Sequence, residues 1–142
     1  MAKGIDFIIK RSKVKQIVAD VPRDVKKSVQ EISKDLKRTA SETAPHFKGI
    51  LEKHGHYRVK TSGGNIFGEV GFSVLAKNGK DYAIIMHEWN YNLGERSRRK
   101  TGGIGMSGKQ YPVGNKYLTR VLEGESNAYT KFIGESLKRV LK

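Results

Sequence analysis

The side chains with the types and spacing to do chemistry are three histidines and one dense cluster of cations. His54 and His56, two apart, would project to one side of a strand as a metal-binding pair does, but neither has an evident Asp, Glu or His partner at ligand spacing. They read as surface histidines at a strand entry. His87 and Glu88 pair an imidazole with a carboxylate, yet neighbours on a strand point to opposite faces and cannot act on one substrate atom. Arg96, Arg98, Arg99 and Lys100 could neutralise phosphates from within a 21-residue loop, 92–112. Glycines at 94, 102, 103, 105 and 108 would keep that loop flexible. Trp89 and Tyr91 lie just before it and Tyr111 near its end, too few aromatics inside for base stacking, so sequence-specific readout is not expected. Gly102-Gly103-Ile104-Gly105 is followed by Met106-Ser107-Gly108 and lacks the Lys-Ser/Thr ending of a phosphate loop. No catalytic, metal or cofactor site is expected.

Charge is regional. The net charge is +14, and residues 1–17 carry five Lys or Arg against Asp6, among them Lys10, Arg11, Lys13 and Lys15. Loop 92–112 carries five against Glu95, so these two stretches hold eight of the net positive charges. Residues 18–43 hold six basic and five acidic side chains, the mixed face of a solvated helix. With 142 residues the chain fits one domain and can bury about 65 to 70% of its unfolded surface. It has no cysteine, hence no disulfide or thiolate chemistry, which suits a reducing compartment. Apolar runs are only a few residues long and no leader-like segment opens the chain, so neither export nor membrane insertion is expected.

Periodicity supplies the elements that must position these groups. Val18, Val21, Val25, Val29, Ile32, Leu36 and Ala40 are spaced 3, 4, 4, 4, 3 and 4, one apolar stripe on a helix capped by Asp20, with Pro22 in its first turn and Pro45 ending it. From Tyr57 to Tyr91 the period changes to two. Tyr57, Val59 and Thr61 share one face, Ser62-Gly63-Gly64-Asn65 supplies a turn, and Ile66, Val70, Phe72 and Val74 share the next inward face. Asn78-Gly79 predicts a hairpin into a third strand, Tyr82 to His87, whose continuous apolar character implies burial on both faces. Ile5, Phe7 and Ile9 could add a fourth. A turn at 113–116 would feed a short helix, Lys116 to Glu123, with Gly124 separating it from a last helix that Ser126 caps. In that helix Tyr129, Phe132, Ile133, Leu137, Val140 and Leu141 form the stripe. The expected architecture is α+β: an antiparallel sheet of three to five strands, with a long N-terminal helix and C-terminal helices packed mainly on one face.

Three motifs occur in a telling order. First comes Glu42-Thr43-Ala44-Pro45-His46-Phe47-Lys48-Gly49-Ile50-Leu51; then Tyr82-Ala83 with His87-Glu88; then, after the variable loop, Tyr117-Leu118. This order, across residues 20–142, resembles a family of tailed-bacteriophage proteins described as minor capsid, neck, head-tail joining or tail-completion proteins. Lys48 stands where the family usually has Thr, which removes a hydroxyl from that turn. The resemblance implies a virion structural protein, not an enzyme, assembled in the host cytoplasm as a ring of like subunits. Its partners would be neighbouring neck, portal-side or tail proteins, and double-stranded DNA in the channel without sequence specificity. Ala44, Pro45, Gly49, Leu51, Tyr82, Ala83, His87, Glu88, Tyr117 and Leu118 would be structural, while Arg96, Arg98, Arg99, Lys100 and the arm cations would meet DNA or a neighbouring subunit. The alternative is a small cytoplasmic nucleic-acid-binding domain, including a toxin-like ribonuclease using His54, His56 or His87.

Overall fold

The computed structural model describes the backbone of residues 4–7, 15–46, 50–62, 65–75, 77–89 and 91–141, and the side chains within them at 23–46, 51–62, 65–75, 77–89 and 91–139. Two long helices run through it, α1 (Lys15–Thr43) and α5 (Tyr117–Leu141). Between them come α2 (Ile50–Lys53), α3 (Tyr82–Glu88) and α4 (Glu95–Arg98). The strands are β1 (Gly4–Phe7), β2 (Gly55–Ser62), β3 (Asn65–Phe72), β4 (Gly103–Ile104) and β5 (Gln110–Tyr111). The class is α+β, with a small antiparallel sheet ordered β1-β3-β2 and a separate β4-β5 pair. In the hairpin, Gly55 faces Phe72 and Ser62 faces Asn65, while Gly4 to Phe7 pair with Glu69 to Ile66.

Helix α1 is the centre of the molecule. Val25, Val29, Ile32, Leu36 and Ala40 are fully buried, as their spacing predicts, and β2 and β3 lie across this stripe. Close approach requires Gly68 on β3, where a Cβ would meet Ser33 and Val29. Helix α5 packs along α1 rather than along the sheet, and the two run antiparallel, since Ser28 bonds Ser136 while Asp35 accepts from Tyr129 at 2.8 Å. The helices therefore stack in two layers, α1 on the sheet and α5 on α1. Sandwiched on two sides, α1 also buries Ser28, Ser33, Thr39 and Thr43 beside its apolar stripe. Buried hydroxyls need partners. Ser33 and Thr43 donate to the carbonyls one turn back, Val29 at 2.8 Å and Thr39 at 2.7 Å.

Four local expectations are overturned. Helix α1 begins at Lys15, so neither Asp20 caps it nor Pro22 sits in its first turn; the helix does stop at Thr43, just before Pro45. Residues 82–88 form a helix, not a strand. The Asn78-Gly79 turn is present, with φ +82° at Gly79, but it delivers the chain to Asp81, whose carboxylate accepts from the amides of Ala83 and Val74, both at 2.9 Å. The Ser73 hydroxyl also donates to Asp81, at 2.9 Å. An N-cap so well supplied starts a helix. Finally, α5 is continuous through Gly124 and Ser126, and Ser126 turns its hydroxyl to the Glu123 carbonyl at 3.1 Å instead of capping a new helix. The strand expected at Ile5, Phe7 and Ile9 is present as Gly4–Phe7; Ile9 and the turn residues Gly63 and Gly64 lie outside the described residues, as do the side chains of Val18, Val21, Val140 and Leu141.

The helical course of α3 changes which faces are buried. Ala83 and His87, four apart, point inward, while Ile84 is exposed. Ile84→Asp should thus cost about 1 kcal/mol of monomer stability, measured by thermal melting, because Ile84 is 37% exposed, where a doubly buried strand would have lost several.

Candidate functional site

Residues of the second and third sequence motifs meet around the start of α5. Tyr117, the first residue of α5, is fully buried and donates from its hydroxyl to the Ala83 carbonyl at 2.8 Å. Its ring meets Phe72 and His87 edge-on, with centroids at 5.4 and 5.0 Å. Burial pushes the Tyr117 hydroxyl far above its ordinary value, so it serves as a neutral donor. Ala44, Pro45, Leu51 and Leu118 are buried too; Gly49, Phe47 and Lys48 lie outside the described residues.

His87 holds α3 against α5. Its Nε2 faces the amide of Thr119 at 3.3 Å and the Thr119 hydroxyl at 3.2 Å, and its carbonyl accepts from the Lys116 amide at 2.7 Å. Thr119 is the third residue of α5, whose first-turn amides lack intrahelical acceptors, so the imidazole acts as an N-cap supplied from another helix. An accepting Nε2 places the ring proton on Nδ1, which lies 3.5 Å from the Glu88 carboxylate. Glu88 in turn pairs with Lys116, which adopts φ 54° to bring the chain into α5. His87→Ala should cost about 1 to 3 kcal/mol, since it strands a buried amide. Denaturant unfolding checks this. A change below about 0.5 kcal/mol would remove the capping role.

Loop 92–112 is built, not structureless. It contains α4, β4 and β5 and makes contacts to α1, α2 and α5. Arg38 donates to the Ile104 carbonyl at 2.9 Å, and Met106 donates its amide to Asp35 at 3.2 Å. Ser97 is buried, and its hydroxyl accepts from the His46 amide at 2.8 Å. Lys100 is not a phosphate ligand here. Its ammonium donates to the carbonyls of Ser41, at 3.1 Å, and Ala44 at the end of α1, and pairs with Glu52 at 2.8 Å. Helix C-termini leave carbonyls without partners, and a cation there suits the dipole. Arg96, Arg98 and Arg99 are exposed on and beside α4, with Arg99 paired to Glu95 at 2.6 Å. Of the N-terminal arm, Lys10, Arg11, Lys13 and the side chain of Lys15 lie outside the described residues, while the arm itself contains β1 and the start of α1.

The β4-β5 hairpin is held by a buried carboxylate that sequence reasoning missed. Glu125 is fully buried and accepts from the Ser107 amide at 2.8 Å, the Ser107 hydroxyl and the Tyr111 hydroxyl at 2.8 Å. Gly124 makes this contact fit, because a Cβ there would overlap the Tyr111 hydroxyl. The glycine is a notch in α5, not a break. Its signal was available: Glu125 stands between Val121 and Tyr129 at spacings of four, a carboxylate inside an apolar stripe.

Beside Lys100 a groove of about 610 Å³ opens between α1 and β2, flanked by Lys34, Lys37 and Arg38 and by Glu42 and Glu52. Lys37 stands 5.9 Å above the Tyr57 ring. Arg38 is already engaged by Asp35 and Glu42, at 2.8 and 2.6 Å, which raises its pKa through the hydrogen bond to Asp35 despite burial. The groove thus mixes both signs of charge, unlike a phosphate cradle. Among the described residues no cluster of three or more His, Cys, Asp or Glu could hold a metal ion. His54 and His56 are exposed at the start of β2, and His87 is buried under α5. None of the described helices is long and apolar enough to cross a membrane. No family model, curated protein or solved structure matches the chain.

Proposed function

We propose that this chain is a structural protein of the head-to-tail connection of a tailed-phage particle, one subunit of a ring of like subunits. The observation that supports the reading is the convergence at the start of α5: motif residues far apart in sequence, Ala83, His87 and Tyr117, meet there. The ionisable side chains point the same way, since His87 and Lys100 cap helices and Glu125 anchors a hairpin. Groups bonded in this manner hold a scaffold and have little capacity left to bind or turn over a substrate. Among the loop cations, the exposed guanidinium groups of Arg96, Arg98 and Arg99 would face DNA in the channel or an acidic neighbour, Arg99 while paired with Glu95. A ribonuclease would use a histidine pair with free cations on an open site; His56 shares the exposed face of β2 with Arg58 and Lys60, but both cations are paired with Glu69, and His87 is buried apart from them.

The test is to purify particles from cells in which the gene is active and locate the protein. The chain should co-purify with particles and account for ring density at the junction of head and tail. With the gene interrupted, filled heads should remain unjoined or tails unfinished. Infectious particles of normal yield and shape without the chain would overturn the reading.

A further inference from the structure

Strand β2 ends the sheet. In the order β1-β3-β2 one of its edges pairs with β3 through all eight residues, Gly55 to Ser62, and among the described residues nothing pairs with the other edge. Ser62 faces Asn65 across a two-residue connection, so this closing pair exchanges both of its hydrogen bonds. Alternation along the ladder then turns the amides and carbonyls of Gly55, Tyr57, Val59 and Thr61 away from β3. An open row of this kind is a template for one more strand.

Two features define the strand that fits. Tyr57 and Val59 pack toward the core, and the groove of about 610 Å³ opens between Tyr57 and the flank of α1 that carries Lys34, Lys37, Ser41 and Glu42. That flank is exposed or half-buried, so a strand added to β2 would rest over it, with alternate side chains against Tyr57 and the aliphatic stems of Lys34 and Lys37. The opposite face of β2 carries His56, Arg58 and Lys60, all exposed. Arg58 and Lys60 share one carboxylate, that of Glu69 on β3, at 2.5 and 3.0 Å. A second copy pairing antiparallel through its own β2 would set these cations opposite their like, which is unfavourable. Carboxylates on an unrelated strand would face them instead. We propose that the open edge of β2 takes up an extended segment of another protein, with acidic residues at alternate positions opposite Arg58 and Lys60 and aliphatic residues between them over the α1 groove. The proposal goes beyond the particle reading and does not depend on it.

The probe is an acetylated peptide of alternating Glu and Val, matched to β2 in length and titrated into the full chain at neutral pH and low salt. Hydrogen exchange at β2 reports where it binds. At saturation the amides of Tyr57, Val59 and Thr61 should gain about tenfold or more in protection, while those of Arg58 and Lys60, already directed at β3, should change less. Two further peptides carry N-methyl groups, one on every Val and the other on every Glu. A strand directs only every second amide at its neighbour, so one of these should keep its binding and the other lose it by about tenfold or more. Replacing every Glu by Lys should weaken binding about tenfold, a difference that Arg58→Ser/Lys60→Ser should reduce to about threefold or less. No binding at millimolar peptide, binding without protection of the β2 amides, N-methyl forms that bind alike, or Glu and Lys peptides of equal affinity would each overturn the proposal. So would protection of the same amides in the chain alone as its concentration rises, which would make the occupant a second copy. Location of the chain in particles is a separate measurement, so the two readings fail independently.

Discussion

Glu125→Ala is expected to destabilise the protein by about 3 to 4 kcal/mol and to release the 103–111 hairpin, because it removes the acceptor of three hydrogen bonds from a fully buried position and leaves a cavity. Hydrogen exchange resolves the two effects. The Gly105 and Gly108 amides, bonded within the hairpin turn at 3.0 and 2.9 Å, should lose protection more than the amides of α1. Acid should mimic the substitution. Burial pushes the Glu125 carboxyl up, but the hydroxyl and amide of Ser107, the Tyr111 hydroxyl and the charge of Lys109 together hold it below the ordinary 4.5. A depressed value means that the stabilisation is present above the unfolded-state pKa and is lost as pH falls through the folded one. Hairpin protection factors in the parent should therefore fall as the carboxylate is protonated in acid, and that extra acid sensitivity should be missing from the variant. Equal acid responses in the two proteins would assign the effect to other carboxylates.

Lys100→Met is expected to cost about 2 to 3 kcal/mol, lowering the melting temperature by roughly 5 to 10 °C, although it keeps the aliphatic stem. The loss comes from the end of α1, where the Ser41 and Ala44 carbonyls and Glu52 would all lose the ammonium that serves them. Changing Arg96, Arg98 and Arg99 together to Ser should leave the melting temperature within a few degrees of the parent, since these side chains are exposed. Four neighbouring cations that look alike in sequence thus separate into one structural group and three available for a partner. A melt of the triple variant as low as that of Lys100→Met would dissolve the distinction.

That separation shows where sequence reading succeeds and where it runs out. The stripe from Val25 to Ala40 is legible because five apolar residues at helical spacing admit one reading, and the stop at Pro45 is legible from chemistry. The run 82–88 is not, because four consecutive apolar residues fit a buried strand as well as a helix, and what decides is the set of donors that Ser73, Val74 and Ala83 bring to Asp81. Gly124 was read from its usual role as a helix breaker; its use here depends on Tyr111, 13 residues earlier in the chain, arriving at that turn of α5. The loop misled most. Its glycines and cations predict mobility, but Arg38 and Asp35, more than 60 residues away, bind its backbone, and β4 and β5 at two residues each are too short to show any period. For the candidate surfaces, the cation cluster and the alternation of β2 were visible in sequence, whereas the place of β2 at the edge of the sheet follows only once the order β1-β3-β2 is known.

The central position of α1 bears on how the protein is made. Its stripe is finished when residue 43 leaves the ribosome, yet the helix that covers its second side starts at residue 117 and ends at 141. At about 5 to 20 residues per second, the nascent chain spends several seconds with that side uncovered. Folding cannot close until α5 has been made. Through that interval the nascent chain depends on the mixed charges of α1's outer face, such as Lys26, Lys27, Glu31 and Lys34, to keep it in solution, and chains that terminate early would be cleared instead of joining an assembly.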